Sequence, residues 1–296
     1  MKKKRFLRKK PLDLVMDICV YTILICVAVI TIIPFMQVVT LSVSPNHVAS
    51  MYGLHLIPKE FDFSGFAVIL KYDIFWTSYG NTLKVTVLGT LISMVLYILG
   101  AYPLSKTYLP NRKFWTMLIV FTMYFSGGLV PGYILVNNWL KLSNTIWALV
   151  LPSAVSAYNL IVVRNFFASI PSSLEESARI DGANELTVLF RIVVPLSKPV
   201  LATVSLWCIV GNWNSWYSCM LYIRDEKKYV LQYALQRILN DGKVQDLNEL
   251  MEETVVVNTE TMKMAALVLS IIPIILIYPF LQKYFASGVM MGAVKE

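Results

Sequence analysis

A charged segment in the middle of the chain has side chains that could bind another protein. It begins Ile170-Pro-Ser-Ser-Leu-Glu-Glu-Ser-Ala-Arg-Ile-Asp-Gly-Ala-Asn-Glu-Leu and continues to Pro195. Glu175 and Arg179 are one helical turn apart, in the order that favours an ion pair. Such groups suit charge-assisted hydrogen bonds. Because no nucleophile, base or metal set clusters with them in the sequence, covalent chemistry is not indicated.

The same segment is expected to form two short helices with a sharp turn at Gly182. Ser172 and Ser173 are each followed three residues later by a glutamate, which is the pattern of a capping box at a helix start. Gly182 suits the left-handed residue that ends a helix, Asn184 can cap the next helix, and Pro195 should help to end it. An apolar stripe should anchor the second helix to a bundle; it consists of Leu186, Leu189, Phe190 and Val193. The pattern alone leaves two roles open, a contact for another protein or a helix pair that seals the bundle.

A second segment, Gly211-Asn-Trp-Asn-Ser-Trp-Tyr217, combines amides with aromatic rings. Amides can hydrogen-bond sugar hydroxyls, and aromatic rings supply flat surfaces for sugar faces. The residues that could line such a substrate path are Asn212, Trp213, Asn214, Trp216 and Tyr217. The alternative is that these side chains pack helices together and form an aromatic belt at a membrane interface.

Motifs of nucleotide and metal chemistry are absent from the sequence. No Gly-x-x-x-x-Gly-Lys-Ser/Thr phosphate loop occurs, and Lys243 after Gly242 lacks the upstream glycine. His47 and His55 have no metal-binding pattern, and the four cysteines have no metal-ligand spacing. We therefore expect no catalytic residue, no metal site and no cofactor bound by this chain.

The composition places both segments in a membrane protein. Of the 296 residues, 57% are apolar and 15% are charged, which is well below the charged fraction of soluble domains. A span needs about 20 mostly apolar residues, and its backbone must satisfy its own hydrogen bonds. The stretches that meet these conditions are 14–41, 80–104, 114–136, 146–168, 198–222 and 263–283. The sequence therefore predicts an all-α, polytopic membrane protein with six transmembrane helices.

The distribution of Lys and Arg predicts the orientation of the spans. Basic residues are frequent in the N-terminal tail and around the connection after the fourth span, and few lie in the short connections on the other side. By the positive-inside rule, both termini are cytoplasmic. The net charge of +8 then reflects topology and anionic lipid rather than a nucleic-acid site. The expected parts are a basic tail (1–13), a transmembrane domain (14–283) with an inner connection (169–197) and an outer connection (222–262), and a C-terminal tail (284–296).

The outer connection contains apolar residues at helical spacing. They are Val230, Leu231, Ala234, Leu235, Ile238 and Leu239. We expect an amphipathic helix that packs either on its own bundle or against an external protein.

Residues 176–195 also contain a longer regular pattern, formed by Glu176, Ala178, Gly182, Ile192 and Pro195. This pattern resembles the EAA loop of ABC importer permeases, which is Glu-Ala-Ala, three residues, Gly, nine residues, Ile, one residue, Leu-Pro. Asp181-Gly182-Ala183 matches the carbohydrate-importer form, whereas Ser177 and Val194 depart from the pattern but keep small or apolar character. The resemblance extends over nearly the whole chain. It is greatest to carbohydrate-uptake permeases of the maltose type and of the lipo-oligosaccharide or polysaccharide-fragment type.

The resemblance implies a type I ABC importer permease whose inner loop docks into an ATP-binding subunit. The loop residues that it implicates are Glu175, Glu176, Ser177, Ala178, Asp181, Gly182, Ala183, Ile192 and Pro195. The implied partners are a second homologous permease subunit, two ATP-binding subunits that use ATP and Mg, an extracellular solute-binding lipoprotein and membrane lipid, with no nucleic acid. The implied location is the bacterial cytoplasmic (plasma) membrane, and the implied cargo is an oligosaccharide or polysaccharide fragment.

Two other classes of membrane protein fit the sequence less well than the importer does. An ion-coupled secondary transporter or channel subunit would normally place acids deep in its spans, whereas Asp17 and Lys84 lie near span ends. A multi-span membrane enzyme would need a catalytic cluster, which the sequence does not contain. The chain itself is therefore not expected to be an enzyme, and ATP hydrolysis is expected in the partner subunits.

Overall fold

The computed structural model describes residues 11–49, 51, 53–240 and 259–293. Over these residues the chain is helical and contains no strand. It divides into two compact units. The described parts of the first unit fall within 11–71 and 259–269, and those of the second within 72–240 and 270–293.

The first unit contains one long apolar helix, α1 (Pro11–Ser42), followed by the short helices α2 (Asn46–Ala49) and α3 (Ser64–Lys71). Apolar side chains of α1 are exposed on all sides of the helix, as expected for a helix surrounded by lipid. The first turn of α3 is held by Asp62, whose Oδ1 accepts a hydrogen bond from the Ser64 N–H at 2.8 Å. α3 lies against the start of α15 (Thr259–Ala293), since a Cβ on Gly65 would be only 3.0 Å from Thr261 Cγ2.

The second unit is a series of helices joined by short turns. In chain order they are α4 (Asp73–Ser105), α5 (Arg112–Tyr124), α6 (Leu129–Ile134), α7 (Trp147–Val150), α8 (Ala157–Ala168), α9 (Ser172–Ile180), α10 (Glu185–Val188), α11 (Val194–Leu196), α12 (Lys198–Trp213), α13 (Trp216–Tyr222) and α14 (Leu231–Asn240). Irregular turns occur as π-helix at Leu135–Trp139 and Leu189–Val193 and as 3₁₀-helix at Glu226–Lys228. The rest of α15 completes the unit.

The core of the second unit lies where α4, α8 and α12 pack together. Tyr97 from α4, Phe167 from α8 and Val204 from α12 are almost fully buried there. The inner connection adds Leu189 and Val193 to the same apolar cluster. Its second helix is therefore part of the folded core rather than a separate surface loop.

Three of the predicted spans lie within long continuous helices. The stretches 14–41, 80–104 and 263–283 fall in α1, α4 and α15. In the part of the chain that the structure describes, three helices are long and apolar enough to cross a membrane, or up to five if each sharply bent pair is one span. The count of six transmembrane helices therefore stays a prediction.

The third, fourth and fifth predicted spans are wrong as continuous helices. α5 and the helix that begins at α6 meet at 107°, next to Gly128, which has a φ of 86°. Residues 151–156 separate α7 from α8 and include Pro152, whose ring does not fit a helix interior. α12 ends at Trp213, where the Asn214 Nδ2 donates to the Val210 carbonyl oxygen at 2.9 Å and competes with the backbone for that acceptor.

The helix predicted in the outer connection is α14, and it packs on its own bundle. Its buried apolar residues are Leu231, Ala234 and Leu235, preceded by buried Val230. α14 lies against α4 and α13, and the Leu231 N–H donates to Thr82 Oγ1 at 2.7 Å. The side chains of Ile238 and Leu239 and the residues 241–258 lie outside the described part of the chain. For the described side chains, the first of the two alternatives is confirmed.

Candidate functional site

The inner connection folds as two helices joined by a glycine turn, as the sequence predicts. α9 ends in a Schellman motif, in which the Ala183 N–H donates to the Ala178 carbonyl oxygen at 2.9 Å and the Gly182 N–H donates to the Arg179 carbonyl oxygen at 3.0 Å. Gly182 has a φ of 86°, a conformation that residues with a Cβ adopt only at a cost. The glycine therefore fixes the sharp turn.

Asn184 begins the second helix, also as predicted. Its Oδ1 accepts a hydrogen bond from the Thr187 N–H at 2.8 Å. α10 continues through the π-helical turn into α11, and Pro195 lies one residue before the end of α11. At Ser197 the chain bends by 81° into α12. The inner connection is thus joined directly to one of the core helices.

The two predicted capping boxes at the start of α9 are wrong. The helix begins after Pro171, so Ser172 and Ser173 lie inside its first turn and not at the capping position. No side chain accepts a hydrogen bond from the backbone at this helix start. The carboxylates of Glu175 and Glu176 are therefore available for other contacts.

Glu175 is buried and forms an ion pair with Lys106. The two residues are 4% and 7% exposed, and Glu175 Oε2 also lies 3.4 Å from Arg179 Nη2. Lys106 directly follows α4, and its ammonium group lies 4.3 Å from the centre of the Tyr102 ring. Removing one partner of a buried pair typically costs about 3–5 kcal/mol, because a charge is left uncompensated. This pair therefore ties α9 to the inner end of α4.

Glu185 at the start of α10 extends the network. Its carboxylate accepts hydrogen bonds from Arg179 Nε at 3.0 Å, from the Tyr102 hydroxyl at 2.6 Å and from the Tyr108 hydroxyl at 3.1 Å. The bond from Arg179, assisted by both tyrosines, holds the pKa of Glu185 below its ordinary value and raises the pKa of Arg179. Burial, followed by the contact with Glu185, raises the pKa of Tyr108. Both helices of the inner connection are therefore held to α4 by charge.

The first helix of the inner connection and the turn after it present charge outward. Glu176 and Asp181 are exposed, and neither carboxylate has a partner among the residues that the structure describes. Ile180 beside them is 85% exposed. Glu175 and Glu176 are neighbours in sequence but differ in environment, because one faces α4 and the other faces away from it.

The predicted apolar stripe of the second helix is wrong in half of its residues. Leu189 and Val193 are buried together with Val188, but Leu186 and Phe190 are 61% and 54% exposed. Nearly every residue from 186 to 194 is apolar, so spacing alone does not select one face, and the π-helical turn changes the spacing further. An exposed apolar surface therefore lies next to the charged turn.

The remaining predicted loop residues support the fold of the connection. Ser177 Oγ donates to the Ser173 carbonyl oxygen at 2.9 Å. Ala178 and Ala183 pack against the core cluster, and Ile192 is half-buried. Ala178 and Ala183 occupy the two positions of the Schellman motif between which a hydrophobic contact is common.

The amide and aromatic residues of 211–217 do not share one surface. Trp213 is 2% exposed, and its Nε1 donates to the Ser270 carbonyl oxygen at 3.2 Å, so it packs α12 against α15. Asn214 bonds to its own helix. Trp216 and Tyr217 are partly exposed and lie edge to face, with ring centres 5.6 Å apart. Asn212 is the residue of this group that borders a cavity.

That cavity has a volume of about 300 Å³ and lies between α4, α8, α12 and α13. Its lining contains five serines and no charged side chain. The other polar or aromatic lining residues include Tyr97, Asn159, Trp207 and Asn212. Of these lining residues, the sequence analysis identified those of the segment 211–217, namely Gly211, Asn212 and Ser215. The sequence feature that could have indicated the rest of the cavity is the presence of three polar residues inside otherwise apolar spans: Ser93, Ser156 and Asn159.

Comparison with known proteins identifies the family. Residues 4–291 match the model of a family described as binding-protein-dependent transport system inner membrane component. The polygalacturonan/rhamnogalacturonan transport system permease protein YtcP of Bacillus subtilis (strain 168) is 41% identical over 281 residues, which cover 94% of this chain and 98% of that protein. Both matches extend over nearly the whole sequence.

Solved structures have the same fold. A chain of a bacterial ABC transporter involved in the import of the acidic polysaccharide alginate has a TM-score of 0.86 and 34% identity, covering 94% of this chain and 99% of that one. A chain of a bacterial alginate ABC transporter in complex with an alginate pentasaccharide-bound periplasmic protein has a TM-score of 0.59 and 17% identity, covers 91% and 94%, and supports the fold alone. The predicted all-α permease fold is confirmed. The chain belongs to the family of binding-protein-dependent transport system inner membrane components.

Proposed function

We propose that this chain is a permease subunit of an ATP-driven ABC importer that moves a saccharide across the bacterial cytoplasmic membrane. The observation that supports this most strongly is the construction of the inner connection. Glu176 within α9 and Asp181 at its end are exposed to the surroundings, while Glu175 holds the same helix to α4.

In this proposal the inner connection is a coupling element. An ATP-binding subunit contacts the exposed carboxylates and the apolar surface of Leu186 and Phe190. Its movement on ATP binding is passed through the Glu175–Lys106 pair to α4 and through the bend at Ser197 to α12.

In the assembly that we propose, other subunits provide the second half of the path, the binding of ATP and the delivery of the cargo. A second homologous permease subunit completes the path, two ATP-binding subunits hold ATP and Mg, and an extracellular solute-binding protein delivers the cargo. The family description, a binding-protein-dependent transport system, supports the last of these partners. The chain itself holds no cofactor in this proposal, and both of its termini are cytoplasmic.

The proposed cargo is an oligosaccharide or a polysaccharide fragment. The relative at 41% identity is named for polygalacturonan and rhamnogalacturonan, and the transporter at 34% identity imports alginate. Within this chain, Asn212 and the partly exposed Trp216 and Tyr217 are the predicted path residues that remain open to a ligand. Trp213 contributes by packing.

The coupling role is tested by Glu176→Lys combined with Gly182→Pro. The first substitution reverses an exposed charge, and the second gives residue 182 a ring that fixes φ near −65°, far from the observed 86°. We expect co-purification of the ATP-binding subunit and saccharide uptake to fall by at least about tenfold, equivalent to 1.4 kcal/mol.

The matched control is Glu60→Lys, which reverses an exposed carboxylate in the first unit. It should leave co-purification of the ATP-binding subunit unchanged. If the Glu176→Lys, Gly182→Pro variant binds the ATP-binding subunit and imports saccharide as the wild type does, the inner connection is not the coupling element.

A further inference from the structure

A second cavity lies between the start of α4, residues 144–149 and residues 223–228, and we call it the outer cavity. Its volume of about 450 Å³ is within the range of roughly 300–1,000 Å³ found for small-molecule sites. The lining contains two lysines, Lys84 and Lys228, and no acidic side chain. The charge of the outer cavity therefore favours an anionic ligand.

The two lysines are brought to the same cavity by Asn81. This residue lies three positions before Lys84 on α4, which places both side chains on one face of the helix. Asn81 Nδ2 donates to the carbonyl oxygen of Lys227 at 2.8 Å and to that of Tyr229 at 3.1 Å. Lys228 stands between these two residues, so its backbone is fixed beside α4 although it belongs to a distant segment of the chain.

Both ammonium groups can still donate to a ligand. Lys84 is exposed and has no hydrogen bond or ion pair with the residues that the structure describes. Lys228 Nζ donates to the Asn144 carbonyl oxygen at 3.0 Å and lies 3.9 Å from Asp225 Oδ2. An ammonium group has further hydrogens to donate beyond these contacts. The cavity therefore offers charge that the protein does not use up.

Two amides add polar groups of defined orientation. Asn144 Oδ1 accepts hydrogen bonds from the backbone N–H groups of Arg224 at 3.3 Å and Asp225 at 3.1 Å, so its Nδ2 is the group left to donate. Asn81 donates through its Nδ2, so its Oδ1 is the group left to accept. A ligand that carries both anionic oxygens and a hydroxyl would satisfy both amides.

The outer cavity lies at the level of lipid headgroups. Lys84 is in the first turns of the second predicted span, Trp147 is at the start of the fourth, and Ile223 follows the fifth. Trp147 is 43% exposed, as is common for a tryptophan at a membrane interface. Val85 and Leu149, which are buried, supply apolar lining. Polar groups at a span end next to apolar lining match the boundary between a headgroup and its acyl chains.

The tendency of single lysines to reach headgroups does not account for this arrangement. A lysine near the end of a span reaches the interface without help, which is sufficient to explain Lys84. It does not explain Lys228, which comes from the outer connection and is held at the same cavity by the contacts of Asn81. Two like charges at one cavity repel each other, and an anion between them removes that repulsion.

We propose that the outer cavity binds the headgroup of an anionic phospholipid, of which phosphatidylglycerol is an example. Its phosphate oxygens accept hydrogen bonds from Lys84, Lys228 and Asn144 Nδ2, and a headgroup hydroxyl donates to Asn81 Oδ1. A choline headgroup would instead place a cation beside the lysines and has no hydroxyl. A free phosphate has the same anionic oxygens, but it would leave the apolar lining unused.

The test uses the full chain with the subunits that co-purify with it, in detergent, and counts bound lipid by native mass spectrometry. Dioleoyl phosphatidylglycerol and dioleoyl phosphatidylcholine are titrated separately. Lys84→Gln should weaken the binding of phosphatidylglycerol by about fivefold, the equivalent of about 1 kcal/mol for one lysine near a lipid surface. Phosphatidylcholine should bind the wild type more weakly and should not respond to Lys84→Gln.

Two control variants separate charge at the cavity from charge elsewhere and from packing. Lys59→Gln removes an exposed lysine of the first unit and should bind phosphatidylglycerol as the wild type does. Lys84→Arg keeps the charge and should stay within about twofold of the wild type. Equal binding of phosphatidylglycerol by Lys84→Gln and Lys59→Gln, or equal binding of the two lipids by the wild type, would overturn the proposal.

Other anions are distinguished in the same experiment. If inorganic phosphate or a galacturonate oligomer in excess displaces phosphatidylglycerol from the wild type, the cavity is a site for a soluble anion and the proposal is wrong. It is also wrong if Lys84→Gln weakens capture of the solute-binding protein and leaves lipid binding unchanged, because the cavity is then a protein contact. The measurement involves neither uptake nor ATP hydrolysis, so its outcome is separate from that of the proposed function.

Discussion

At the scale of single residues, Glu175 and Glu176 have different tasks although they are adjacent. The resemblance to the EAA loop places both in the segment that meets an ATP-binding subunit. The structure buries Glu175 against Lys106, 69 residues earlier in the chain. A single sequence does not show that these two residues pair, because neither residue has an unusual local sequence around it. Glu176 and Gly182, in contrast, are recognisable from local pattern alone.

Removing one residue of the Lys106–Glu175 pair should destabilise the protein more than removing both. Lys106→Met leaves Glu175 buried without its main partner and should lower stability by about 3 kcal/mol. The double variant Lys106→Met, Glu175→Leu removes both charges and should lose less than Lys106→Met alone, because apolar replacement of a buried pair is often tolerated. The stability of both variants is measured by thermal unfolding of the purified protein in detergent, monitored by tryptophan fluorescence. Additive losses in the double variant would contradict a direct interaction.

Glu185 should make stability depend on acid pH. Its pKa in the folded protein is below the ordinary value of about 4.3, so its contribution is complete above that pH and is lost as pH falls through the lower folded value. The difference in Tm between wild type and Glu185→Gln should therefore be largest near neutral pH and should shrink below about pH 4. Glu176→Gln, at an exposed carboxylate, is the control and should show no such change. A constant difference for Glu185→Gln down to acid pH would contradict the network.

At the scale of helices, the sequence correctly predicts where the first inner helix ends and the second begins. It does not predict the breaks inside the long apolar spans. The Gly182 turn and the Asn184 cap follow from residues whose local chemistry permits few alternatives. The break at Pro152 was missed because average hydropathy over a strongly apolar stretch hides a single helix-breaking residue. The break at Asn214 was missed because the amides of residues 211–217 were interpreted as substrate or packing groups and not as the end of a helix. The face of the second inner helix was missed because too many of its residues are apolar.

Gly182→Ala should weaken the inner connection. Alanine at a φ of 86° costs about 1–2 kcal/mol, although a Cβ there would contact nothing within 4 Å, so the cost is conformational and not steric. Gly132→Ala is a matched control in α6, where a Cβ would also meet nothing within 4 Å and where the helical backbone suits alanine. We expect Tm to fall for Gly182→Ala and to stay or rise for Gly132→Ala. A decrease in Tm for both variants would show that the turn conformation is not the cause.

At the scale of the whole molecule, the same helices join the inner connection to the cavity. α4 carries Tyr97 at the cavity and Tyr102 at the charge network, and Lys106 follows directly. Nine residues of helix correspond to roughly 13 Å, so Lys106 and the cavity are joined by one continuous helix, which contains Pro103. α12 makes the second link, from the bend at Ser197 to Trp207. In the proposed coupling, a movement of the inner connection would therefore be passed to the cavity through α4 and α12.

This arrangement requires the inner connection to face the cytoplasm, which labelling of introduced thiols can test. The four native cysteines are replaced by serine, and Ser169→Cys or Glu60→Cys is added; both positions are exposed, one at the end of α8 and one in the first unit. A membrane-impermeant maleimide should label Glu60→Cys in intact cells and Ser169→Cys only after the membrane is permeabilised, because the positive-inside rule places the basic inner connection in the cytoplasm. Labelling after permeabilisation confirms that each thiol is reachable, and the background without cysteine should stay unlabelled. If Ser169→Cys reacts from outside, a cytoplasmic ATPase has no access to α9, and neither the coupling role of Glu176 nor the transmission of force through the Lys106–Glu175 pair can hold.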